Sequence, residues 1–94
     1  MASVHIPSLM QELTAGQRVV EVRGSTVRQI VENLEALYPG IKDRLVKDNR
    51  IKPNVSVAVD GEVTPIGMLE KVGEGSEVHF LPAIGGGAGT GWDS

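Results

Sequence analysis

Polar and apolar residues alternate over Ser3-Val4-His5-Ile6, the period of a strand with one buried face. Pro7 has no N–H to give a ladder and marks that strand's end. After a turn at Ala15-Gly16-Gln17, Arg18-Val19-Val20-Glu21-Val22 is a second β-rich run, and the two predict a hairpin. Beyond Arg23-Gly24-Ser25 the period changes. Val27, Ile30, Val31, Leu34, Leu37 and Tyr38 recur at helical spacing and define one apolar face, with Arg28, Glu32, Asn33 and Glu35 on the wet side. Thr26 and Gln29 have capping-box spacing, in which each side chain satisfies a free backbone N–H. Pro39-Gly40 stops the helix, and residues 41–46 predict a short further helical turn docking Ile41, Leu45 and Val46 on the core.

Val55-Ser56-Val57-Ala58-Val59 predicts a third strand, and Asp60-Gly61 is a two-residue hairpin signal leading to a short return strand, Glu62-Val63-Thr64, limited by Pro65. Met68, Leu69 and Val72 form an apolar cluster in a connecting segment, and Gly73-Glu74-Gly75-Ser76 is a turn before the last strand, residues 77–81. The order β-β-α-β-β-β, without internal repeat, predicts an α+β domain in two layers, a mixed sheet on one main amphipathic helix. The domain spans residues 1–84, and residues 85–94 form a Gly-dense, flexible tail.

Ninety-four residues suffice for one modest core, and with 3 % aromatics that core is built from Val, Ile, Leu and Ala. The net charge of −3 and a basic stretch interrupted by Asp43 and Asp48 argue against a nucleic-acid partner. Without cysteine there is no disulfide, thiolate metal site or cysteine nucleophile. No secretory signal pattern and no membrane-length apolar run occur, so the expectation is a cytoplasmic protein without a membrane partner. His5 and His79 each alternate with apolar neighbours and are placed on a solvent- or partner-facing side without a catalytic role. Asp60-Gly61 reads as a turn, Glu70, Glu74 and Glu77 as solvated surface, and no metal site is assigned.

The end of the chain carries the distinctive chemistry. Leu81-Pro82-Ala83-Ile84 leads into Gly85-Gly86-Gly87, followed by Ala88 to the terminal Ser94. Glycines without Cβ pass through a narrow channel. The run has neither the G-x-G-x-x-G spacing nor the Lys-Ser/Thr of a phosphate-binding loop. Extended, residues 83–87 reach about 17 Å at roughly 3.3–3.6 Å per residue. Pro82 stiffens the root of this segment. Trp92, alone in a polar tail, is either a recognition anchor for a processing enzyme or idle.

Together with Val4-His5-Ile6-Pro7, Thr14-Ala15-Gly16-Gln17, the helix ending in Tyr38-Pro39-Gly40-Ile41, Val55 to Asp60, and Gly75 to Ile84, this ending resembles the ubiquitin-like β-grasp sulfur carriers of the MoaD/ThiS family over roughly residues 3–87. The opening strand and the Leu-Pro-Ala-Ile-Gly-Gly-Gly ending look closest to the family's cysteine-biosynthesis branch. The resemblance implies a β-grasp fold and a protein cosubstrate rather than an enzyme. It places the family's terminal Gly-Gly at Gly86-Gly87, so residues 88–94 imply a precursor cleaved between Gly87 and Ala88 by a JAMM-type metalloprotease. It further implies that an E1-like partner adenylates the Gly87 carboxylate with ATP, sulfur displaces AMP to give a thiocarboxylate, and a synthase accepts the sulfur. No cofactor is bound by the chain itself in this scheme. Cysteine synthesis is the first expectation for the acceptor, with molybdopterin, thiamine or tRNA thiolation as others. Leu81, Pro82, Ala83 and Ile84, with the exposed sheet face, are the expected docking surface. The alternative is a ubiquitin-like protein modifier or a non-covalent β-grasp interaction module.

Overall fold

The computed structural model describes residues 1–82. β1 (Ala2–His5) and β2 (Val19–Val22) pair antiparallel, with Val4 opposite Val20, as the alternating pattern predicts. The 3-10 helix Ser8–Thr14 fills the long connection between them, an element that no periodicity announced. α1 (Val27–Leu37) follows, then α2 (Ile41–Leu45). β3 (Val46–Lys47) and β4 (Arg50–Ile51) make a small separate hairpin where no strand was expected. Its turn residues Asp48 and Asn49 both have positive φ, the conformation such a tight hairpin requires. β5 (Val55–Val59) and β6 (Glu62–Val63) are joined by Asp60 at φ 52° and Gly61 at φ 88°, and β7 (Glu77–Pro82) closes the order.

The main sheet runs β2-β1-β7-β5-β6. β7 is its central strand, parallel to β1 and antiparallel to β5. The inner face presents Val4, Val20, Val57, Val78 and Phe80, and α1 lays Val27, Ile30, Val31 and Leu34 across it, all buried. Each such side chain is worth roughly 1.5–3 kcal/mol when fully removed from water. Ile41, Leu45, Val46, Met68 and Val72 close the ends of the core.

Two positions on α1 depart from the periodic reading. Leu37 is 57 % exposed: it sits in the last turn, at the edge of the stripe centred on Ile30, Val31 and Leu34. Glu35, placed on the wet side, instead turns its carboxylate onto the next segment and accepts the backbone N–H groups of Gly40 and Lys42 at 3.0 and 2.8 Å. At the other end, Thr26 Oγ1 accepts the Gln29 N–H as expected. Gln29 Oε1, however, reaches one residue further back, to the Ser25 N–H at 2.8 Å. Ser25 and Val27 are meanwhile tied by backbone bonds to Val72 and Glu70. Gly24, just before this cap, has φ +155°, and a Cβ there would lie 2.9 Å from the Ile30 backbone nitrogen.

Candidate functional site

The expected adenylation and thiocarboxylate residue Gly87, the tail glycines Gly85 and Gly86, the processing position Ala88, and Ala83, Ile84 and Trp92 lie outside the described residues. What the structure fixes is the root from which that segment departs. Val78 and Phe80 of β7 point into the core, while Glu77, His79 and Leu81 point outward. The last register pairs are Ser56 with Leu81 and Val55 with Pro82, so the chain leaves the domain from the end of its central strand. Proline has no N–H to continue the ladder. Of the expected docking residues, Leu81 is exposed on the outer face at the tail's root.

That outer face is not a uniform apolar patch. One row crosses all five strands through the register Val19, His5, His79, Ala58, Val63. The two histidines, placed separately on the solvent side by the alternation, are brought together by the parallel β1–β7 pairing. Their rings stack with centroids 3.9 Å apart and planes 8° from parallel. Glu77, read as a solvated acid, sits two residues before His79 on the same face. Its Oε1 lies 3.7 Å from the Nε2 of each ring. No local pattern could reveal this grouping, because His5 and His79 belong to opposite ends of the chain.

Asp60 also does more than make a turn. Its two carboxylate oxygens accept the Glu77 N–H and the Ser76 hydroxyl, each at 2.9 Å, and clip the β5–β6 turn to the start of β7. These bonds, the Glu77 N–H first, hold the carboxyl below its ordinary value of 3.8. The Lys42 and Gly40 N–H groups lower Glu35 in the same way, and the N-terminal ammonium lowers Glu74. Beside the tail root, a groove of about 520 Å³ is lined in part by Val55 and Ser56, by the exposed Ile66 and Leu69, and by Arg28, Arg50 and Lys52. Among the described residues, no helix is long and apolar enough to cross a membrane.

Comparison with known proteins bears on the tail directly. Residues 4–87 match the ThiS family. The chain belongs to that family. The sulfur carrier protein CysO of Mycobacterium tuberculosis (strain ATCC 25618 / H37Rv) is 31 % identical over 90 residues, covering 90 % of this chain and 97 % of the relative. The small archaeal modifier protein 3 of Haloferax volcanii is 37 % identical over 65 residues, covering 67 % of this chain and 71 % of the relative. A chain in the crystal structure of the Amycolatopsis orientalis BexX/CysO complex superimposes with a TM-score of 0.88 at 34 % identity, covering 93 % of this chain and all of that one. The fold is thus the β-grasp of these ThiS-family relatives, with a mixed sheet wrapped on one main helix, as the resemblance implies.

Proposed function

We propose that this chain is a sulfur carrier: a protein cosubstrate whose own C-terminal carboxylate, at Gly87 after removal of residues 88–94, is the reacting group. The observation that carries the reading is the extent of the family match. It runs through the glycine triplet and stops at residue 87, leaving the last seven residues of the sequence outside it. The chemistry follows from what a carboxylate lacks. It is a poor electrophile, so an E1-like partner joins it to AMP from ATP, releasing pyrophosphate. A sulfur nucleophile then adds at the activated carbonyl and AMP leaves, giving a thiocarboxylate. At an acceptor synthase the sulfur bonds to the acceptor, and water then cleaves the acyl–sulfur bond and returns the carboxylate. Likeness to CysO over nearly the whole chain favours cysteine synthesis as the destination.

The domain's part in this scheme is to present the tail. β7 is anchored on both sides, by β1 and by β5, so the departure point is fixed while the glycines thread a partner's nucleotide site. In this scheme Leu81, exposed at the tail's root, and Pro82, Ala83 and Ile84 after it in sequence are the residues such a partner would meet. The intact mass of the protein purified gently from its native cells tests this. A species ending at Gly87 with one oxygen replaced by sulfur is expected. Only the full-length mass, in cells actively assimilating sulfur, would refute the carrier reading.

The similarity to small archaeal modifier protein 3 favours a second reading, in which the Gly87 carboxylate forms an isopeptide bond with a lysine of a target protein. Target lysines carrying this chain's residues 72–87, the remnant left by tryptic cleavage after Lys71, and losing them in a Gly87→Ala variant, would separate it from the first.

A further inference from the structure

We propose that His5, Glu77 and His79 form a binding site for a divalent late first-row transition ion, with zinc as the reference case. The three donors lie within 4.8 Å of one another on the outer face of the sheet. Glu77 Oε1 is 3.7 Å from each imidazole Nε2. That is too long for a hydrogen bond. It is close to the spacing of two donors sharing one ion: with zinc–nitrogen and zinc–oxygen distances of about 2.0–2.2 Å, ligand atoms at tetrahedral angles stand roughly 3.3–3.5 Å apart. A contraction of a few tenths of an ångström therefore suffices for each Glu77–imidazole pair, while the two imidazole donors, within 4.8 Å of one another, close by at most roughly 1.5 Å.

The remaining adjustment is in the rings. Stacked flat, the rings hold their Nε2 lone pairs in nearly parallel planes, and one or both rings must swing to converge on an ion. The side chains of His5 and His79 are 34 % and 35 % exposed, so that swing takes place toward solvent without disturbing the core. The backbone beneath does not have to move. His5 and His79 are register partners on β1 and β7, two of the three strands of the sheet held on both sides. Ala58, the β5 partner of His79, presents only a methyl group beside the ring. Two imidazoles and one carboxylate are a donor set that zinc, copper(II) and nickel(II) accept, with the ordinary order of affinity peaking at copper(II). The ion's fourth position faces solvent and takes water or a donor from a docked protein.

Calorimetric titration of the full chain with zinc chloride, near neutral pH and without chelating buffer, tests the site. One ion per chain is expected. His5→Gln, His79→Gln and Glu77→Gln should each weaken binding at least roughly tenfold, the scale on which metal sites respond to altered ligand surroundings. Unchanged thermal unfolding of each metal-free variant establishes that it is folded. As a readout on the native chain, nitrogen spectra of its only two histidines should show both imidazoles shifting together with one equivalent of zinc. The proposal is overturned if the folded chain takes up no zinc, if uptake survives the substitutions, or if zinc moves neither or only one of the imidazole signals.

Discussion

Leu34 and Leu37 share a helix, a residue type and a place in the same apolar repeat, yet Leu34 is 0 % exposed and Leu37 57 %. Truncating each to alanine therefore measures packing with everything else held nearly constant. At Leu34 the loss is the transfer free energy of the buried side chain, about 0.8 kcal/mol per methylene, plus the cavity left among Ile30, Val31 and the inner sheet face. Together these come to about 3–4 kcal/mol. At Leu37 most of the side chain already meets water, and the expected cost is no more than about 0.5–1 kcal/mol. For a domain of this size, about 4–8 °C of melting temperature accompanies each kcal/mol, so Leu34→Ala should melt roughly 12–30 °C lower while Leu37→Ala stays within a few degrees. Urea unfolding followed by far-ultraviolet circular dichroism is the appropriate assay. The single tryptophan, Trp92, lies outside the described residues. The midpoint should move with the slope unchanged. Equal destabilisation by the two substitutions would refute the reasoning, because it would require Leu37 to be covered.

Asp60→Asn should lower stability near neutral pH, because the amide cannot accept from both the Ser76 hydroxyl and the Glu77 N–H. Since the carboxylate's pKa is depressed by folding, its contribution is present above the ordinary value of 3.8 and disappears as pH falls through the lowered folded value. The gap between parent and variant should thus close on acidification in urea titrations, and a gap independent of pH would contradict the clip. Gly24→Ala should cost about 1–3 kcal/mol, since its Cβ would press on the Ile30 backbone nitrogen at 2.9 Å and strain the α1 cap. Gly73→Ala, where the nearest atom is the Ser76 hydroxyl oxygen at 3.4 Å, should stay within about 0.5 kcal/mol in the same assay, and comparable losses at both would undermine the steric argument.

The elements that were legible are those with a local cause. Alternation placed β1, β2, β5 and β7, the helical period placed α1, and Asp60-Gly61 placed the β5–β6 turn, because each signal lies within a few neighbouring residues. The β3–β4 hairpin escaped because two-residue strands are too short to show a period, and Lys47 and Arg50 read as interrupted basic charge. The edge of the helical stripe was overextended at Leu37, since periodicity gives a direction but not how far the sheet beneath extends. The outward aim of His5 and His79 was legible from alternation, but their mutual contact was not. It depends on a parallel pairing between the first and last strands, and neither strand records its partner. Likewise Asp60 carried the turn signal and hid its second use, the clip to Ser76 and Glu77.

The central position of β7 has a mechanical consequence. A machine that grips the C-terminus and pulls along the strand does not peel hydrogen bonds one by one from a free edge. It loads the β1 and β5 ladders together, in shear, with Val78 and Phe80 sunk in the core between them. The domain should therefore act as a stopper. It should hold its shape while a tail is drawn into a channel too narrow for the body, and force–extension traces pulled from the C-terminus should show one high peak rather than a gradual unzipping.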